Sequence, residues 1–148
     1  MVDLSFFFFV GIFHLSFMAY TDIKKMKIDS RHNYFMFGMV AALYVIVTPS
    51  LFYLGSLFLV TLIIVLSSSK LLASGDLNAL AWIILGCGLI SLPKLFIFFY
   101  FYYGILAIYL IVKQLLLYNI PVHVKQGIRT PGLPVLWGAF LLASLVKA

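Results

Sequence analysis

The sequence predicts an all-α membrane protein, a six-transmembrane helical bundle with N-terminus and C-terminus outside, and three observations predict it. The chain is 65% hydrophobic and only 9% charged, with a mean hydropathy of +1.18, whereas soluble domains carry roughly a quarter charged residues. The apolar residues gather into six runs, each close to the roughly 17–25 residues that carry a helix across the hydrocarbon core. The runs are also continuous. That excludes a β-barrel, whose strands alternate apolar and polar residues, and in lipid a helix satisfies every backbone group within its own segment.

The spans run from Leu4 to Thr21, Asn33 to Thr48, Leu51 to Leu66, Leu77 to Leu92, Leu95 to Val112 and Pro131 to Val146. The first opens with Asp3 and has neither a basic n-region nor a small-residue cleavage pattern, so it is expected to be retained rather than removed as a leader. Spans two and three are separated by "TPS", where Pro49 removes a backbone donor and disfavours helix at the residue before it. The "SLPK" stretch separates spans four and five in the same way. The polar loop "YNIPVHVKQGIRTPG" precedes the last span. Without an internal repeat or a linker, residues 1–148 form one domain.

Orientation follows from the ten Lys and Arg residues. In a six-span arrangement one side collects Lys24, Lys25, Lys27, Arg31, Lys70, Lys113, Lys125 and Arg129, leaving Lys94 and Lys147 on the other. Cytoplasmic loops carry the cationic excess, so the three larger loops face the cytoplasm of a multi-pass cytoplasmic (inner) membrane protein. The net charge of +6 is then the ordinary signature of orientation, and no basic soluble domain is present to bind nucleic acid. Cys87 is the single cysteine, which excludes a disulfide framework, a paired-thiol redox motif and a cysteine zinc site.

Acid chemistry has few candidates, because the four acidic residues are Asp3, Asp22, Asp29 and Asp76. Asp22 closes span one and Asp76 opens span four, so the two share the cytoplasmic boundary. Asp76 follows "SG" at a helix start, where the macrodipole favours an anion and where Ser74 or Asp76 itself can cap the helix. Gly75 is explained either as a plain loop glycine or as the residue whose missing Cβ lets the backbone turn sharply or approach a bound peptide.

These segments carry a resemblance. "ASGD", before an apolar helix, is similar to the GxGD motif of type IV prepilin peptidases and related intramembrane aspartyl proteases. "AYTDIKKMKIDSRHN" resembles the stretch that closes the first helix of that family, an Asp followed by a basic run and Ile-Pro-Asn. "RTPGLPVLWGAFLLA", with Pro131, Pro134 and Gly138, resembles the Pro-rich opening of its last helix. The chain departs from the pattern at Ala73, in place of the first motif Gly, at Asp29 and Ser30, in place of Pro and Asn, and at Asn78, where a Lys often follows. Its length resembles the short, peptidase-only members, which lack the methyltransferase activity of the bifunctional forms.

The resemblance implies an aspartic endopeptidase that cleaves the leader of a prepilin-like protein substrate at the membrane boundary, with Asp22 and Asp76 as catalytic residues and Gly75 as supporting motif. The chemistry fits two carboxyl groups: hydrolysis needs a base to activate water and an acid to protonate the carbonyl or leaving amine, and a pair sharing one proton supplies both. Either acid can hold the proton, and the mechanism needs no metal or organic cofactor. Asp29 is the rival partner for Asp76, with solvated pairing to Lys25 or Arg31 as its simpler role. His14, two turns before Asp22, is expected to bond a neighbouring helix. His32 and His123 lack the fixed spacing of metal ligands and are expected to be solvated loop residues. Gly86, Gly88 and Gly104 read as close-packing positions.

The partners expected are thus the precursor and the lipid bilayer, with the oligomeric state open. The competing class is a non-enzymatic membrane protein, either an inactive relative or a subunit of a pilus or secretion assembly, which would tolerate loss of either carboxylate. A transporter is disfavoured because no span carries a carboxylate at its midplane.

Overall fold

Proline sets two of the helix boundaries. The computed structural model describes residues 5–25, 30–69, 72, 74–118 and 132–146, without the side chains at 22, 23, 25 and 30–32. Among them the chain leaves helical geometry at Thr48–Ser50, around Pro49, and at Ser91, two residues before Pro93. Thr48 takes a left-handed φ of 45°, a strained conformation for a β-branched residue that reverses the chain in little space. Ser50 then accepts a hydrogen bond from the Tyr53 amide at 3.3 Å and caps the next helix. Pro93 lies in the first turn of its helix, where its missing donor costs nothing.

The described residues form six helices and no strand: α1 (Ser5–Lys25), α2 (Ser30–Val47), α3 (Leu51–Ser68), α4 (Ser74–Ile90), α5 (Leu92–Leu116) and α6 (Gly132–Leu145). All six apolar runs are helical, and most helices extend past the expected span. Three extra residues precede Leu77 in α4 and four follow Thr21 in α1. Both extensions suit helix ends, since first-turn N–H groups need no intrahelical acceptor and cations such as Lys24 and Lys25 complement the negative C-terminal end. As a consequence Asp22 belongs to the last turns of α1 and Asp76 to the first turn of α4.

Neighbouring contacts fix the helix directions. Trp137 donates to the Ser16 hydroxyl at 2.7 Å, while Phe140 stacks on Phe8 at 5.2 Å between ring centres, so α6 runs antiparallel to α1. Tyr53, near the start of α3, donates to the Gly88 carbonyl near the end of α4. Lys94, near the start of α5, bonds the Ala143 carbonyl at 3.3 Å and the Val146 carbonyl, both at the end of α6. The chain therefore passes up and down through the bundle. One end carries the C-termini of α1, α3 and α5 and the N-termini of α2, α4 and α6. Lys24, Lys25, Arg31 and Lys113 belong to this end and Lys94 to the other.

Helix α4 is the centre. It packs on α2, α3, α5 and α6, and eleven of its seventeen residues are buried. Glycine permits part of this closeness: a Cβ at Gly86 would meet ring carbons of Phe7 at 2.7 and 2.8 Å. Gly86→Ala is therefore expected to overpack the α1–α4 contact and destabilise the bundle by about 1–3 kcal/mol, which a lowered unfolding midpoint in detergent would register.

The outer helices are different in character. α3 and α5 are long and apolar enough to cross a membrane, and the other apolar stretches, such as Ser5–Thr21 and Asn33–Val47, are shorter. Phe52 and Leu66 on α3 are 86% and 62% exposed, and Leu115 and Leu116 on α5 are 72% and 73% exposed. Large exposed apolar side chains on a helix are a feature of protein–protein or membrane contact surfaces.

Candidate functional site at the basic end

Asp76 is the third residue of α4 and only 2% exposed. A carboxyl in the first turn gains from the local N–H groups and the positive end of the macrodipole, which is why an acid is tolerated at the mouth of an apolar helix. Its far side is closed by α6. A Cβ built on Gly132 would come within 2.7 Å of the Asp76 Cγ, closer still to Oδ2, and within 2.9 Å of the Leu72 Cδ2. The glycine is thus required by close approach, and the first turn of α6 rests on the carboxyl.

The third wall is α2. Asn33, 1% exposed, donates from Nδ2 to the Gly75 carbonyl at 3.3 Å and accepts at Oδ1 from Trp82 Nε1 at 3.1 Å. Trp82 is fully buried and stands edge-on to Phe7 and Phe140, with ring centres 6.2 and 5.8 Å away. These aromatic contacts fix the indole plane.

Asp22 is placed by its backbone. Ser16 of α1 is level with Trp137 of α6 through their hydrogen bond. At about 1.5 Å per residue, Asp22 lies about 9 Å further along α1. Gly132 lies about 7.5 Å back along the antiparallel α6, so the Asp22 backbone lies at the same end of the bundle as the contact between Gly132 and Asp76. The side chain of Asp22 lies outside the described residues, as do Asp29, Ala73, His123 and the side chain of His32.

Gly75 is helical and half-buried, with no positive-φ glycine among the described residues. Its contribution to the site is the carbonyl that receives Asn33, not a left-handed turn. His14 sits within the aromatic cluster, 6.0 Å from the Phe35 ring and 6.5 Å from Trp82. Cys87 is buried near the opposite end of α4.

Three contributors carry no motif in the sequence. Asn33 reads there only as a span boundary, although a lone amide just inside an apolar run is a signal of a buried polar contact. Trp82 reads as ordinary core. Gly132 lies between Pro131 and Pro134, and its small size is the only hint of a close neighbour. Scanned against protein-family models, curated proteins and solved structures, the chain matches none of them.

Proposed function

We propose that the protein is a six-span cytoplasmic-membrane aspartyl endopeptidase in which Asp22 and Asp76 activate water to cleave the leader of a prepilin-like precursor. Both termini lie outside, and the basic end of the bundle faces the cytoplasm, where anionic lipid attracts its cations. The reading is supported by the buried Asp76 carboxyl, packed against the first turn of α6 at the end of the bundle where α1 ends with Asp22 in its last turns.

Peptide hydrolysis follows from such a pair. The ionised carboxylate takes a proton from water as its oxygen attacks the scissile carbonyl carbon. The protonated partner gives its proton to the carbonyl oxygen, and collapse of the tetrahedral species breaks the C–N bond as the nitrogen is protonated. One end of an apolar bundle suits a substrate whose hydrophobic helix lies in the bilayer, with the scissile bond just outside it. The resemblance of "ASGD" and "AYTDIKK" to prepilin peptidases supplies the substrate class.

Incubating the purified chain in lipid with a prepilin-like precursor, and locating the product termini by mass spectrometry, tests this. A single cut immediately before the precursor's hydrophobic helix is expected. An intact precursor that still binds the protein would contradict the enzyme and leave a non-enzymatic assembly subunit.

A further inference from the structure

Asn33, Thr61 and Asp76 are the buried polar side chains among the described residues. Thr61 is satisfied within its own helix, donating to the Leu57 carbonyl at 2.7 Å. Asn33 differs, because both of its hydrogen bonds leave α2 and both reach α4. The partners also dictate its orientation. An indole N–H only donates and a backbone carbonyl only accepts, so Oδ1 must face Trp82 and Nδ2 must face Gly75.

We infer that Asn33 is a positioning residue, which holds the first turn of α4, and with it Asp76, in register with the end of α1 that carries Asp22. The inference rests on the proposed Asp22/Asp76 pair.

The connections run in one direction. Phe7, Phe140 and Trp82 form a packed aromatic cluster, so the indole N–H is a fixed point. It orients the Asn33 amide, which then grips the carbonyl directly preceding Asp76. A helical carbonyl has a second lone pair for this additional bond. Asn33 also lies in the first turn of α2, four sequence positions beyond residues 26–29 that join it to α1. α2 packs on both α1 and α4, so what holds Asn33 against α4 also couples the Asp76 turn to α1. A side chain that sets two reacting groups at their distance has leverage on rate, since a displacement of about 1 Å can cost about 10²-fold.

Cysteine cross-linking in the full chain in nanodiscs tests the inference without requiring activity. In a Cys87→Ala background, Asp22→Cys/Asp76→Cys reports the acid-bearing turns. Leu57→Cys/Gly88→Cys reports the opposite end, where a Cβ on Gly88 would lie 3.3 Å from the Leu57 Cγ. Asn33→Leu removes both hydrogen bonds, whereas Asn33→Asp keeps the acceptor for Trp82 and loses the donor to Gly75. Each is expected to slow oxidation of the 22/76 pair by about tenfold, because a disulfide tolerates only Cα separations below roughly 7 Å, while the 57/88 pair keeps its parent rate. With both acids present, kcat for precursor cleavage is expected to fall about 10²-fold at unchanged KM.

An unchanged 22/76 rate in both variants would overturn the positioning role. So would equal loss at both pairs in the milder Asn33→Asp, which would mark Asn33 as a general stability residue. No 22/76 cross-link with Asn33 intact would instead remove the acid pair itself, and the positioning role with it.

Discussion

Asp22→Asn and Asp76→Asn are each expected to abolish precursor cleavage, lowering the rate by roughly 10²–10⁴-fold, while insertion and helix content stay at parent levels. Asn matches Asp in size, so the 2% exposed position of Asp76 remains filled and the contact with Gly132 is kept. What disappears is the group that exchanges a proton with water or with the leaving nitrogen. Because the two acids act as one unit, removing both should cost little more than removing either. Asp29→Asn, between α1 and α2 in the sequence, should leave cleavage near the parent rate. A gel assay of precursor processing, with circular dichroism of each variant, measures all four. Full processing by either single variant would end the two-acid mechanism.

Gly132→Ala is expected to be nearly as damaging for a different reason. The added methyl would sit 2.7 Å from the Asp76 Cγ and 2.9 Å from the Leu72 Cδ2, both belonging to buried side chains, so something must shift. Either α6 lifts or the carboxyl turns away. Overpacking of this kind costs about 1–3 kcal/mol of stability, and misplacing a catalytic group by about 1 Å costs about 10²-fold in rate. Gly38, Gly55 and Gly104 are the controls, since a Cβ at each meets nothing within 4 Å. Alanine there should stabilise its helix by up to about 1 kcal/mol. Parent stability and parent activity in Gly132→Ala would show that α6 does not rest on Asp76.

What could be read in the sequence was local in origin. Apolar run length gave the six helices, and Pro49 and Pro93 marked where two of them must part, because proline acts on its own backbone. Helix ends were placed less well. α1 continues through Asp22 to Lys25 and α4 begins at Ser74, since terminal groups satisfied by caps, dipoles or neighbours leave no periodic trace. The surroundings of Asp76 were the least legible. Asn33 bonds a carbonyl 42 residues away, and Gly132 reaches the carboxyl from α6, distant along the chain. Such contacts depend on which helices become neighbours, and one chain records that only as an amide or a glycine in an unusual place. The two acids stand out because carboxylates are so few, and their common end is legible because it follows from the order of the spans alone.

The distance between the Asp22 and Asp76 carboxyl groups, measured in an experimental structure of the chain in a lipid nanodisc, tests the central claim most directly because it needs no knowledge of the substrate. The account predicts oxygen atoms close enough to share one water, each about 2.6–3.2 Å from it, at the basic end of the bundle. Carboxyl groups facing opposite sides of α1 and α4, with a helix between them, would contradict it.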